Sequence, residues 1–208
     1  MQQPEIFPTQ IPGIVVKVAT KDHPFFFSLV REALGRIYSR PVGRALLDDI
    51  QQRAAPNPTL GYKVAILLPH GEIRAAAPGS APDFTPGSKA VRAREDHAVW
   101  LERRARGSGS ATAIFWNPNV ITTPDGSRPA FIGLAHELIH AQRNLLGIAS
   151  ADWAREEEQT VGLNNTGGDV TENAIRAEHG IPRRVSYGDI HDNFAAEFGH
   201  LGPHIALR

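Results

Sequence analysis

Hydrophobic positions follow two patterns along the chain: short apolar runs typical of strands, and apolar residues at the spacing of a helix. Short apolar runs rich in β-branched residues predict strands at residues 14–19, 62–68 and 111–116. Apolar residues at helical spacing predict one helix over residues 24–38 and a second through Leu46, Leu47 and Ile50. The chain therefore contains both strands and helices, and we expect an α+β fold with a small mixed or antiparallel sheet.

Polar and charged stretches set the expected boundaries. Residues 1–12 are polar and contain proline and glutamine, so we expect this segment to be disordered. Residues 13–208 contain no internal repeat and are predicted to form a single domain. Residues 89–106 mix charges of both signs around a few apolar residues, which is typical of a solvated helix or an irregular flap.

A strongly apolar segment, Phe131 to Gly147, is predicted to form a helix of about 17 residues. Pro129 suits the first turn of a helix and Gly147 suits its C-terminal cap. Apolar side chains occupy most of the circumference of this helix, so it should be central in the fold and not superficial.

This apolar helix nevertheless carries His136, Glu137 and His140. Residues four apart project from one face, so the two imidazoles lie side by side, with the glutamate about 100° round the axis. Burying these groups without partners costs several kcal/mol, and a divalent cation supplies a partner. The HExxH spacing is the zincin pattern, in which the histidines bind Zn²⁺ and the glutamate activates a water. A structural network of histidines and carboxylates is the alternative.

Composition narrows the chemistry and the partners. The 208 residues include no cysteine, so any metal site must use histidine and carboxylate ligands. The 22 basic and 22 acidic residues cancel, which argues against nucleic acid as a partner. The sequence contains neither a cleavable signal peptide nor an apolar run of the ~18 to 20 residues that a membrane span needs. We expect a monomer that does not bind membranes.

A catalytic zinc needs a third protein ligand, and three candidates follow the helix. Glu156, Glu157 and Glu158 lie 16 to 18 residues beyond His140. Successive residues of a helix point about 100° apart, so only one of them can face the metal. A solvated helix face is the alternative for the others. The metzincin spacing fails, because Arg143 and Leu146 stand where glycine and histidine are required.

The segment from Phe131 to Tyr187 resembles the NleD/HopH-type zinc metallopeptidase effectors that bacteria inject into host cells and, more distantly, clostridial neurotoxin light chains. The motifs that carry the resemblance are HELIH at 136–140, EEEQTVG at 156–162, TENxxRxExGxPxR from Thr171, and RxxY from Arg184 to Tyr187. The resemblance implies a zincin-like fold around a central HExxH helix and Glu157 as the third ligand. Glu156 remains an alternative, because the spacing is shorter here than in the neurotoxins.

The resemblance also implies roles around the metal. Tyr187 would stabilise the oxyanion that forms on the peptide carbonyl, and Arg184 would either do the same or hold a carboxylate. Glu172 would orient a ligand histidine. The alternative for Glu172 is a surface pair with Arg176, four residues on.

These expectations describe a zinc endopeptidase with Glu137 as general base and later proton donor. The resemblance implies a secreted bacterial effector that reaches the host cytoplasm without a cleaved signal peptide and cleaves an intracellular protein. The substrate would bind as an extended peptide along an edge strand, for which residues 111–116 are the candidate. The alternatives are a zinc-stabilised binding protein without activity and an antibacterial toxin peptidase of the same fold.

Overall fold

The computed structural model describes residues 5–18, 24–53, 64–67, 89–92, 109, 111–123, 126–150 and 152–187. The described strands are β1 Glu5–Pro8, β2 Ile14–Val18, β3 Val64–Leu67, β4 Lys89–Arg92, β5 Thr112–Phe115, β6 Thr122–Thr123 and β7 Gly126–Ser127. The described helices are α1 Pro24–Tyr38, α2 Pro41–Arg53, α3 Ala130–Leu146, α4 Trp153–Val161 and α5 Glu172–Glu178, with a 3₁₀ turn at Leu163–Asn165. None of these helices is long and apolar enough to cross a bilayer.

Five strands form one mixed sheet in the order β1-β2-β3-β5-β4. The three central strands are parallel, β2 with β3 and β3 with β5. Strands β1 and β4 are antiparallel to their neighbours at the two edges. Strands β6 and β7 form a separate small hairpin just before α3. The α+β class, the small mixed sheet and the central HExxH helix are therefore confirmed.

The expected disorder of residues 1–12 is wrong for β1. Glu5 pairs with Val18 and Pro8 pairs with Val15, so this short segment extends the sheet by one strand. Proline fits there because the strand lies at an edge and ends at Pro8. The ring of Phe7 lies 5.5 Å from that of Phe27, which anchors the strand to α1.

Two expectations about the other edge of the sheet are also wrong. Residues 112–115 form β5, which lies between β3 and β4 and is an interior strand. The edge strand on this side is β4, which was expected to belong to a helix or flap. Strand order depends on long-range pairing that residue pattern does not encode, which explains the first error. The second arose because charged residues are common on exposed edges.

Helix α3 lies at the centre of the core, against α1, α2 and the sheet. Two hydrogen bonds fix it to the sheet at both ends of β5. Nε1 of Trp116 donates to the carbonyl of Ala130 over 3.1 Å, and Nδ2 of Asn144 donates to Oγ1 of Thr112 over 3.0 Å. The helix that carries the candidate ligands is thus bonded to the sheet region near both of its ends.

Candidate metal centre

The ends of α3 lie where the sequence predicted them. Pro129 occupies the N-cap position and Gly147 the C-cap position, with a left-handed φ of 68°. The N–H groups of Gly147 and Ile148 donate to carbonyls in the last turn of the helix. All three ionisable groups of the HExxH motif are buried, with His136 3%, Glu137 4% and His140 7% exposed.

Three potential ligands converge beside α3. Nε2 of His136 and Nε2 of His140 lie 3.2 Å apart. Glu157, on α4, faces both rings: its Oε2 lies 3.1 Å from Nε2 of His136 and its Oε1 lies 3.2 Å from Nε2 of His140. These residues form the one buried group of three potential metal ligands within the described part of the chain.

The environment of the Glu157 carboxylate fits a cation. Both oxygens are buried, and neither accepts a well-oriented hydrogen bond from a described residue. Burial disfavours charge on this carboxylate, but the adjacent His140 and His136 lower its pKa below the usual range. Burial likewise opposes protonation of His140, but Glu157 and Glu156 raise its pKa to about 10. A carboxylate enclosed between two imidazoles attracts positive charge, and two nitrogen donors with one oxygen donor suit Zn²⁺.

The far side of His136 is held by Glu172. Nδ1 of His136 lies 2.8 Å from Oε2 of Glu172, at the start of α5. Glu172 also accepts from Nε of Arg176 over 2.7 Å and from Nη1 of Arg184 over 3.4 Å. Burial raises the pKa of Glu172, but the hydrogen bond from His136 and the arginine charges outweigh it and lower the pKa to about 2. Glu172 and Arg176 are buried, so the surface-pair alternative is wrong.

The far side of His140 is held by α4. Nδ1 of His140 lies 3.3 Å from Oε1 of Glu156 and 3.3 Å from Oγ1 of Thr160. Glu156 also accepts from Nε of Arg143 over 2.8 Å and from the backbone N–H of Ser150 over 2.5 Å. Glu156 therefore faces Nδ1 of His140, the nitrogen on the outer side of the cluster. Glu157 faces the Nε2 nitrogens of His136 and His140, on its inner side.

Local signals fix both ends of α4, the helix that carries the glutamate triplet. Asp152 is its N-cap and accepts from the N–H of Arg155 over 3.3 Å. Gly162 ends the helix with a φ of 80°, and a Cβ there would lie 2.6 Å from Oγ1 of Thr171. Glycine therefore allows the end of α4 to pack closely against Thr171, the residue just before α5. Glu158, the third member of the triplet, is exposed, as the solvated-face alternative expected.

Glu137 lies in the same cluster, but the other described residues of the cluster form no hydrogen bond with its carboxylate. No described residue donates a hydrogen bond to its carboxylate, although the residue is almost fully buried. Burial raises the pKa of Glu137, and the charges of His136 and His140 oppose this. A buried carboxylate with free oxygens beside a metal site is suited to accept a proton from water.

Tyr187 and Arg184 are also brought to the centre. The phenol ring of Tyr187 stacks on the imidazole of His136, with centroids 6.1 Å apart. Burial and the charges of Glu157 and Glu137 raise the pKa of Tyr187 well above its usual value, so the hydroxyl stays protonated. The guanidinium of Arg184 lies 4.8 Å from the centroid of the tyrosine ring and also contacts Glu172.

Some contributors had not been identified from the sequence. Arg143 donates to Glu156, and Thr160 contacts Nδ1 of His140. The available signal for Arg143 was a charged residue in the last turn of a helix predicted to be buried. His179 packs edge-on against Phe131, with ring centroids 4.9 Å apart. The histidines at positions 23, 70, 97, 191, 200 and 204 lie outside the described residues.

Comparison with known proteins supports a peptidase centre. The profile of the Peptidase M91 family, described as effector protein, matches residues 15–187. The chain belongs to this family. The match covers every candidate ligand and ends at Tyr187. The family match supports a metallopeptidase of the effector class, and the predicted relation to NleD/HopH-type effectors is confirmed. No curated protein matches the chain.

Solved structures of two neurotoxin domains are similar to this M91 chain. The light chain of Clostridium botulinum neurotoxin serotype F has 18% identity and a TM-score of 0.47, with 73% of this chain and 53% of that chain covered. The catalytic domain of the same serotype has 20% identity and a TM-score of 0.48, with 84% and 55% covered. The M91 chain thus spans about half the length of each neurotoxin domain.

Proposed function

We propose that this M91 chain is a zinc-dependent endopeptidase that acts inside a host cell on an extended segment of an intracellular protein. The convergence of His136, His140 and Glu157 around one point, with the free carboxylate of Glu137 beside them, is the observation that carries the proposal. The effector description of the family supports a host target and delivery into the host cell. Equal numbers of acidic and basic residues continue to argue against nucleic acid as the substrate.

The metal would be held by Nε2 of His136, Nε2 of His140 and the carboxylate of Glu157. Three protein ligands with one open position are typical of catalytic zinc sites. Zinc in such a site is a Lewis acid that polarises the scissile carbonyl and lowers the pKa of a water molecule. The position of Glu156 supports this choice of ligands, because Glu156 faces Nδ1 of His140 and not Nε2.

Glu137 would take the proton from the attacking water and later give it to the leaving amine. Its burial raises its pKa towards the range in which one carboxyl group can serve as base and then as acid. The absence of hydrogen bonds to it from the described residues leaves its oxygens available to the water. An intact glutamate at this position also argues against a binding protein without activity, which has no use for a base there.

Tyr187 would donate its hydroxyl to the oxyanion that forms on the scissile carbonyl. Its raised pKa keeps the phenol in the O–H form that can donate. Arg184 is placed to support this group: it stacks on the tyrosine ring and pairs with Glu172. The structure therefore favours a positioning role for Arg184 over direct contact with the oxyanion.

The substrate would extend along β4. Strand β4 is the sheet edge nearest α3, and one side of its backbone pairs with β5 while the other is the sheet's edge. An extended peptide can add to such an edge through main-chain hydrogen bonds. This replaces the earlier candidate, residues 111–116, whose two sides are both occupied within the sheet.

The test is to incubate the zinc-loaded protein with host-cell lysate and map newly formed N-termini. Glu137→Gln with equal zinc content is the matched control, because it keeps the shape of the site and removes the base. We expect new termini with the unmodified protein, and none with the variant or after chelation. Equal sets of termini from both proteins, or none from either, would contradict the proposal.

A further inference from the structure

Arg128 is a buried arginine that the proposed mechanism does not use. The residue is 8% exposed, and its Nε is fully enclosed without an acceptor. No described carboxylate forms an ion pair with its guanidinium. Buried arginines are almost always paired, because an uncompensated charge in the protein interior is strongly destabilising. An unpaired guanidinium of this kind indicates a ligand that supplies the negative charge.

The position of Arg128 is fixed by its neighbours. Its backbone N–H donates to the carbonyl of Ile121 over 2.8 Å, at the foot of the hairpin formed by β6 and β7. Its side chain lies across the first turns of α3, over Gly133. A Cβ at Gly133 would lie 3.3 Å from Cζ of Arg128, so glycine allows the guanidinium to approach the helix closely.

This position is close to the proposed base. Gly133 and Glu137 are four residues apart in α3 and thus lie on one face, with about 5–6 Å between such positions. The positive charge of Arg128 accordingly opposes the effect of burial, the larger influence, on the pKa of Glu137. An extended peptide advances about 3.3 Å per residue, so the guanidinium lies within roughly three residues of a bond cleaved beside Glu137.

The charges around the centre leave Arg128 unbalanced when zinc is bound. The two positive charges of a bound zinc would be balanced by the carboxylates of Glu137 and Glu157. The positive charge of Arg143 is balanced by Glu156. Glu172 faces two arginines, Arg176 and Arg184. With zinc bound, the described part of the centre would therefore have an excess of positive charge. Arg128 acts on Glu137 only through its charge and is the member of this group that forms no ion pair with a described carboxylate.

We propose that Arg128 determines specificity by binding the carboxylate of an acidic side chain in the substrate, within three residues of the scissile bond. This inference rests on the proposed peptidase function. Because Nε is enclosed, the two Nη groups are the donors that reach the ligand. They match the two oxygens of a carboxylate, which is the geometry that distinguishes arginine from lysine at such sites.

The binding test uses zinc-loaded Glu137→Gln protein, so that bound peptides are not cleaved. The immobilised protein is exposed to a library of capped hexapeptides with equal amounts of Asp, Glu, Asn and Gln, and bound peptides are identified by mass spectrometry. We expect Asp and Glu to exceed their amides in the bound peptides. Arg128→Gln on this background should abolish the excess, whereas Arg155→Gln, which removes an exposed arginine, should leave it unchanged.

A second variant separates recognition from a structural role. Arg128→Lys keeps the positive charge but removes the pair of guanidinium N–H donors that can bind both oxygens of a carboxylate. It should weaken binding of the best Glu-containing hexapeptide about tenfold while leaving its Gln-containing counterpart unchanged. No acidic excess with the Glu137→Gln protein, an equal excess after Arg128→Gln, or unchanged affinity for both peptides after Arg128→Lys would overturn the proposal.

Cleavage of the same library by the unmodified protein distinguishes this inference from the proposed function. Cleavage sites enriched in acidic residues within three positions would support both. Cleavage without such enrichment would overturn the role of Arg128 and leave the peptidase. Binding that depends on Arg128 without any cleavage would contradict the peptidase and retain the carboxylate site.

Discussion

Nδ1 of His136 lies 2.8 Å from Oε2 of Glu172, and this contact turns the other ring nitrogen of His136 towards Glu157. A carboxylate that accepts from the outer nitrogen of a ligand histidine fixes its tautomer and raises its basicity. Two arginines hold the carboxylate in turn, so α5 supports the candidate metal centre although it carries none of the proposed ligands.

Glu172→Gln is expected to lower zinc affinity by about 10- to 100-fold, as for other outer-shell partners of ligand histidines. The change removes the charge that orients His136 and leaves Arg176 and Arg184 without their shared carboxylate. Competition with a fluorescent chelator measures the affinity, and Glu158→Gln, at an exposed glutamate, is the control. Unchanged zinc affinity in the Glu172 variant would show that the contact has no part in metal binding.

Glu137→Gln should abolish peptide cleavage without affecting zinc binding. The amide keeps the shape of the side chain but cannot accept the proton of the water, so cleavage should fall by several orders of magnitude while zinc content stays equal to that of the unmodified protein. Zinc analysis and cleavage are measured on the same sample. Loss of zinc in this variant together with its retention in Glu157→Gln would exchange the two roles.

Tyr187→Phe should reduce kcat by about 10² to 10³, or ~3 to 4 kcal/mol, because it removes a hydrogen bond made chiefly in the transition state. Substrate binding should change little. Single-turnover cleavage, zinc content and melting temperature of one sample check this. A stable, zinc-loaded variant that cleaves within about threefold of the normal rate, a difference under ~1 kcal/mol, would remove Tyr187 from the catalytic residues.

Removal of zinc should destabilise the fold. The ligands are buried and Glu157 has no well-oriented hydrogen bond, so the native state binds zinc far better than the unfolded chain does. At a free zinc concentration 1,000 times the Kd, the stabilisation is about 4 kcal/mol. The melting temperature should therefore fall on chelation. The control is His140→Ala, which lacks one proposed ligand. If chelation lowered the melting temperature of this variant by the same amount, the chelator would be acting elsewhere.

Local sequence signals predicted the helix and its candidate ligands. Pro129 and Gly147 delimit α3, and the spacing of His136 and His140 requires both imidazoles to share a face. Helical geometry gives the directions in which the three glutamate side chains point, once one of them is assigned to the metal. The resemblance favoured Glu157 over Glu156. The structure adds which histidine nitrogen each of them faces, because this depends on the packing of α4 on α3.

Long-range arrangements were not predictable from the sequence. The pairing of β1 with β2 and the position of β4 at the sheet edge depend on backbone hydrogen bonds between segments whose side chains give no strong signal. Arg128 gave no signal either, because its burial results from the close approach allowed at Gly133. The single-domain prediction for residues 13–208 stays a prediction, since the described residues end at Tyr187.

The zinc content of three purified proteins tests the central claim most directly. The unmodified protein should hold about one zinc, as expected for a single site with three protein ligands. Glu157→Gln should lose it almost completely, whereas Glu156→Gln should retain it, because Glu156 faces the outer nitrogen of His140 and contacts Arg143. Full zinc occupancy in a folded Glu157→Gln protein would contradict the centre formed by His136, His140 and Glu157.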